Sequence, residues 1–204
     1  MSELERRAVH ASGTGLPALY LLGLVDWPGI QLLLVGLALT VTGLEFVRLG
    51  LGYEWALFDK LARSYERENV AGYALYAYSQ LAVALVFMPN LALPAMLMLT
   101  IGDPVSGYLV DNDAGTAKEL GVLAVMFLVC FALAAPFLTA AASLPVGIAA
   151  ATVGAAGATL ADGVKPVVAG YVVDDNLSIP PAACVGFVLV FVLAGPGLDA
   201  ALWF

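Results

Sequence analysis

The sequence predicts an all-α, polytopic membrane bundle of about seven transmembrane helices with one interfacial amphipathic helix. Three observations carry this. The 204 residues are 62% hydrophobic and only 12% charged, with mean hydropathy +0.95, far from the composition of a soluble domain. The apolar runs are long and lack period-two alternation. In lipid every backbone polar group must pair within the protein, so such runs form helices and not the strands of a closed barrel. Seven crossings with the N-terminus inside also put all eight basic residues on one side, as the positive-inside rule requires.

The chain reads as a single membrane domain over 1–204. A polar start, MSELERRAVH, precedes a first span over about 11–25 and shows no convincing cleavage site for a signal peptide. Asp26-Trp27-Pro28-Gly29 turns the chain into a second span over about 30–52. Near its end Glu45 and Arg48 stand at i, i+3 and can pair. The stretch 53–69 alternates charges with Trp55, Leu57, Phe58, Leu61 and Tyr65 near helical spacing, which predicts an interfacial amphipathic helix.

Spans over about 70–88 and 91–109 follow, the latter interrupted by Pro94 and by Gly102-Asp103-Pro104. After a polar loop over 111–119 come spans over about 120–140 and 144–160. The second of these carries Gly147, Ala151, Gly154 and Ala158 at three- and four-residue steps, a face for close helix approach. A polar segment over 161–176 leads to a last span over about 177–195.

The basic residues are Arg6, Arg7, Arg48, Lys60, Arg63, Arg67, Lys118 and Lys165. Their distribution predicts a multi-pass protein of the cell membrane with a cytoplasmic N-terminus and an extracytoplasmic C-terminus. It also gathers Asp103, Asp111, Asp113, Asp162, Asp174, Asp175 and Asn176 at the cytoplasmic face. A carboxylate in a lipid-buried helix costs about 2.5–3.5 kcal/mol at mid-membrane on insertion scales and less near the interface. Asp103 therefore calls for a bound cation or a fixed positive partner.

Asp103 and Ser106, and likewise Asp162 and Lys165, stand at i, i+3. Gly102 allows close backbone approach, and Asp175 or Asn176 suits a helix N-cap. Carboxylates, lysines and free N–H groups together suit a magnesium-bound polyphosphate.

Other classes fit poorly. A net charge of −8 and no basic patch exclude a nucleic-acid partner. Gly102-Asp103-Pro104-Val105-Ser106-Gly107 is followed by Tyr108 where a phosphate loop needs lysine. One histidine, His10, and two cysteines inside apolar runs do not make a zinc site.

The ordered set of Arg6-Arg7-Ala8-Val9-His10, Gly43-Leu44-Glu45-Phe46-Val47-Arg48, Thr100-Ile101-Gly102-Asp103-Pro104-Val105-Ser106-Gly107, Lys118, Thr159-Leu160-Ala161-Asp162-Gly163 and Asp174-Asp175-Asn176-Leu177-Ser178-Ile179-Pro180 resembles the dolichol kinase/phytol kinase family. The acidic, lysine-poor wording is similar to a haloarchaeal member. The resemblance implies a membrane enzyme that uses CTP and Mg²⁺ to phosphorylate a long-chain isoprenoid alcohol. By position it implies that Gly102, Asp103, Lys118, Asp175 and Asn176 bind nucleotide and metal, and that Asp162 is catalytic or metal-binding. Where the family shows Lys-Ser-x-Glu-Gly-Ser, this chain has Lys118-Glu119-Leu120-Gly121-Val122, without the hydroxyls.

Combined with the residue chemistry, this gives Asp103, Asp162 and Lys118 as catalytic candidates. Gly102, Ser106, Lys165, Asp175 and Asn176 are candidates for holding nucleotide, and Asp103 and Asp175 for the metal. Two other functions fit the same features. One is a cytidylyltransferase that makes a CDP-lipid. The other is a small non-catalytic transporter with an intramembrane ion path.

Overall fold

The computed structural model describes residues 10–53, 58, 66–110, 116–169 and 171–203. The expected interfacial helix over 53–69 lies largely outside the described residues, and Asp111 and Asp113 lie wholly outside them.

The described chain is mostly helical. Four helices are long and apolar enough to cross a membrane: Trp27–Gly50, Leu120–Ala141, Leu144–Gly163 and Asp175–Ala194. At 1.5 Å per residue, the 24-residue Trp27–Gly50 run measures about 36 Å, more than a hydrocarbon core of about 30 Å.

In chain order, α1 is Gly15–Leu21 and α2 is Trp27–Glu45, which continues as a π-helical turn over Phe46–Gly50. Next come α3, Gly72–Val86, and α4, Pro89–Leu97. A second π-helical turn, Met98–Gly102, joins α4 to α5, Asp103–Leu109. Then follow α6, Leu120–Ala141, and α7, Leu144–Gly163. A two-residue-per-strand hairpin, β1 Val167–Val168 and β2 Tyr171–Val172, leads into α8, Asp175–Ala194.

The expected seven spans are therefore met only in part. The run predicted over 11–25 forms α1, whose seven residues extend about 10 Å, too short to cross. Gly23 has φ +68°, its N–H turns back to the Tyr20 carbonyl and the Leu24 N–H to the Leu19 carbonyl, so the helix stops there. The run predicted over 91–109 is helical from Pro89 to Leu109, but it is broken in register at Met98–Gly102.

The core sits where α4, α6, α7 and α8 meet. Leu91, Met96, Met126, Cys130, Leu138, Ala151, Phe187 and Phe191 have no exposed surface. The small-residue face of α7 is used as the sequence predicts. A Cβ on Gly186 of α8 would lie 2.7 Å from the Gly154 Cα, and one on Gly157 would lie 2.7 Å from the Ala182 carbonyl oxygen. Backbones this close leave no room for a side chain, and without a hydrophobic drive between helices this packing is what joins them. Cys130 and Cys184 are free and buried, as expected from their apolar runs.

The two ends of the bundle differ. At one end Asp26 caps α2 by accepting from the Gly29 N–H, and Trp27 packs edge-on to Tyr20 and Trp203. There the last residues close over the α3–α4 turn through Trp203 N–H to the Val86 carbonyl and Met88 N–H to the Ala201 carbonyl. The starts of α5 and α8 and the end of α7 lie at the other end with the acidic residues.

Gly186→Val is expected to destabilise the bundle by about 1–3 kcal/mol through overpacking, read from denaturation in mixed micelles. An equal substitution at Gly36 of α2, which has open space around it, is expected to change little.

Candidate functional site

Prolines shape the backbone around the acidic residues. In the π-turn the Asp103 N–H reaches back five residues to the Met98 carbonyl. The next residue, Pro104, has no N–H, so the Leu99 carbonyl loses its partner in that register. His10 takes the vacancy, with Nε2 3.0 Å from the Leu99 oxygen. A carbonyl only accepts, so Nε2 carries the hydrogen. The imidazole lies edge-on to Tyr76, with ring centroids 4.7 Å apart, and its Nδ1 stands 3.6 Å from Asp103 Oδ2.

The same thing happens in α8. Pro180 cannot donate to the Asn176 carbonyl four residues back, and the Ser79 hydroxyl donates to that carbonyl at 2.6 Å.

These devices bring three helix ends together. Carboxylate oxygens of Asp103, Asp162 and Asp175 lie within 4.8 Å of one another. Asp162 ends α7 with no exposed surface. Lys118 Nζ is 2.7 Å from its Oδ1, and the Ser106 hydroxyl donates to its Oδ2 at 2.7 Å; Lys118 also donates to Ser106 at 3.0 Å. Lys118 reaches this depth because its segment pairs with the end of α7. Ala117 bridges Val164, and the Lys118 N–H donates to the Gly163 carbonyl at 3.0 Å. Thus the altered sequence after Lys118 does not stop the lysine from reaching Asp162.

On the other side Lys165 Nζ is 2.9 Å from Asp175 Oδ2, and both side chains are buried. Asp174 caps α8 by accepting from the Asn176 backbone N–H at 3.0 Å and from its side-chain amide at 2.6 Å. The cap is thus Asp174, one residue before the positions expected for it.

Of the sequence-predicted site residues, Asp103, Ser106, Lys118, Asp162, Lys165, Asp175 and Asn176 gather in this cluster. Gly102 plays a packing part beside it: its missing Cβ makes room for Met126 and Cys130 of α6, each with an atom 3.2 Å from where that Cβ would stand.

Glu45 and Arg48 form a buried pair at 2.6 Å. Arg48 also donates to the carbonyls of Glu66, Arg67 and Asn69, while Glu45 accepts from the Ala71 N–H and the Tyr73 hydroxyl. This clamp fixes the turn that leads into Gly72. A Cβ on Gly72 would lie 3.0 Å from Asn176 Nδ2 and 3.2 Å from Glu66 Oε1. Glu66 is therefore a buried carboxylate at the margin of the cluster that sequence reasoning passed over as a surface charge. The signal for it is faint: it stands three residues ahead of Asn69 in a polar stretch.

The hydroxyls of Thr100 and Thr159, one turn before Asp103 and Asp162, are buried without a hydrogen-bond partner among the described residues. Thr40, Thr42, Thr139 and Thr152 instead bond the carbonyl four residues back at 2.7–2.8 Å.

Comparison with family models, curated proteins and solved structures finds no match to this chain. What the cluster does must be argued from its own chemistry. Three carboxyl groups stand there against two lysines, an excess of acidic groups suited to a further cation. Of the three, Asp103 is the open one: 18% of its side chain is exposed, against 0% for Asp162 and 2% for Asp175.

Lys118→Met strands Asp162 without its counter-charge and is expected to cost about 3–5 kcal/mol of stability. The double variant Lys118→Met/Asp162→Leu is expected to recover much of that loss, which a double-mutant unfolding cycle measures. His10→Ala reopens the Leu99 carbonyl and is expected to cost about 1–3 kcal/mol in the same assay.

Proposed function

We propose that the chain is a CTP-dependent kinase that phosphorylates a long-chain isoprenoid alcohol of the dolichol or polyprenol type. It would act at the cytoplasmic face of the cell membrane, with the N-terminus inside and the C-terminus outside. The observation that carries this reading is the convergence of Asp103, Asp162 and Asp175 with Lys118 and Lys165 at one rim of an apolar bundle. The ordered resemblance to the dolichol kinase/phytol kinase family supports it and supplies the substrate class.

The donor set fits Mg²⁺. Mg²⁺ takes one or two carboxylates together with substrate phosphate oxygens, and carboxylate oxygens of the three residues already lie within 4.8 Å of one another. Asp103 and Asp175 would hold the ion, with Asp162 beside them. When bound, it supplies neutralising charge to the phosphate oxygens of CTP.

The chain's own groups do the rest. Lys118 and Lys165 stand beside the carboxylates, where either ammonium can also meet a phosphate oxygen. Asn176, held by Asp174, stands in the first turn of α8 and keeps its neighbours in register. Asp162 is committed at both oxygens, to Lys118 and to Ser106. Asp103 takes no hydrogen bond from a described residue, so the carboxylate oxygen it would not give to the ion is the one placed to accept the proton of an incoming hydroxyl. The apolar flanks of the bundle let the lipid tail stay in the bilayer while its hydroxyl reaches the rim.

Purified protein given γ-labelled CTP, Mg²⁺ and polyprenol is expected to move label into the lipid and release CDP. Absence of labelled lipid overturns the reading, and pyrophosphate release when polyprenyl phosphate replaces the alcohol would assign a cytidylyltransferase instead. Asp103→Asn is expected to lower the rate by about 10²–10⁴-fold, and chelation of the metal to abolish it until Mg²⁺ is restored. CTP–Mg²⁺ at 100 times its Kd is expected to stabilise the fold by about 2.7 kcal/mol, read as a raised Tm.

A further inference from the structure

Between Lys165 and Asp174 the chain runs Pro166-Val167-Val168-Ala169-Gly170-Tyr171-Val172-Val173, eight residues without a charge. It forms the β1–β2 hairpin. Val167 pairs with Val172 and Val168 with Tyr171, and the base closes through the Val173 N–H to the Pro166 carbonyl at 2.8 Å. Its flanking charges turn inward, since Lys165 and Asp174 are each 2% exposed. Its apolar groups turn outward: Val167 is 54% exposed, Val168 59% and Tyr171 64%.

In an antiparallel pair, opposed residues share a face and successive residues alternate. One face of this hairpin therefore carries Val168 and Tyr171, and the other Val167 and Val172. Neither face is polar, whereas a hairpin bathed in water shows one polar face. Two strands of two residues are also marginal in water by themselves.

The apolar surface is continuous along the chain with the lateral surface of the spanning helices. Leu160 in the last turn of α7 is 66% exposed, Val164 42%, and Leu177 in the first turn of α8 40%. Both helices are of membrane-crossing length. The hairpin's own three exposed side chains cannot supply the roughly 1,600 Å² that a stable protein interface buries, and the helix flanks they continue are of membrane-crossing length, where the neighbour is lipid, so a second copy is a poor occupant.

We propose that this hairpin rests in the headgroup–acyl boundary of the bilayer, with Tyr171 at the level where aromatic belts sit. Its valines fix the depth of the rim that carries Asp103, Asp162 and Asp175. The occupant of this surface is lipid. Because Lys165 and Asp175 lie at either root of the hairpin, the bilayer surface sets the height of the acidic cluster. The inference concerns membrane depth and stands apart from the reaction assigned to the site.

The full chain is reconstituted in phosphatidylcholine vesicles with a nitroxide on Val168→Cys or, separately, Tyr171→Cys. Cys130 and Cys184 are buried and do not compete for the label, which the unsubstituted protein checks. Access to dissolved oxygen and to a water-soluble nickel chelate is read by power-saturation EPR, with Glu119→Cys as the aqueous reference. At both hairpin positions the expected result is loss of nickel access and gain of oxygen access relative to position 119. Nickel access equal to that at position 119 overturns the proposal. So does dipolar broadening between labels, which would give the surface to a second copy. Two independent label sites guard against a single variant that fails to fold.

Discussion

Asp162 has no exposed surface, and Lys118 lies against it at 2.7 Å with Ser106 completing the triangle. A charge taken out of water is costly unless it is paired and hydrogen-bonded. The end of α7, the start of α6 and the face of α5 are held in one place by meeting that demand. Removing the lysine would leave a buried charge, and moving any of the three elements would stretch two short bonds at once. The second pair, Lys165 with Asp175, ties the root of the hairpin to the start of α8 in the same way. The acidic cluster thus has its position fixed from both sides by the chain's own charges.

Proline recurs in this arrangement for a single physical reason. Each proline in a helix leaves a carbonyl without its donor, and in an apolar bundle that carbonyl has no water to turn to. Pro104 leaves Leu99 to His10, and Pro180 leaves Asn176 to Ser79. Both repairs come from a different part of the chain, so a local defect becomes a long-range tether. One tether carries an imidazole to Asp103, and the other fixes the first turn of α8 beneath Asp175. The π-turns at Phe46–Gly50 and Met98–Gly102 lie at the same end of the bundle as these tethers. The first is the last turn of its helix and carries Arg48, and the second re-aims Asp103 into α5 without ending the helix.

The bundle is polar chemistry at one end and aromatic closure at the other. Close backbone contact between α7 and α8 at Gly154 and Gly186 draws Asp162 and Asp175 toward each other. A tight crossing in mid-bundle and a charged cluster at its rim are consequences of one packing arrangement. The tighter crossing leaves less room for solvent near Asp162, which makes its lysine more necessary.

The sequence by itself determined the helical membrane class, most helix boundaries, the pairing of Glu45 with Arg48 and the chemical character of the acidic rim. Apolar run length, turn residues and charge placement are local quantities, and lipid leaves the backbone few alternatives. It did not determine that the run over 11–25 ends as a seven-residue helix, since only packing decides how far a short apolar run extends. Nor did it place Glu66 beside Asn176, seat His10 on the Leu99 carbonyl, or assign Lys118 to Asp162 and Lys165 to Asp175. Asp162 and Lys165 stand at i, i+3 in the sequence, yet α7 ends at Gly163 and the helical spacing no longer applies beyond it. Which charge meets which depends on where separate helix ends arrive, and that is settled only when the bundle closes.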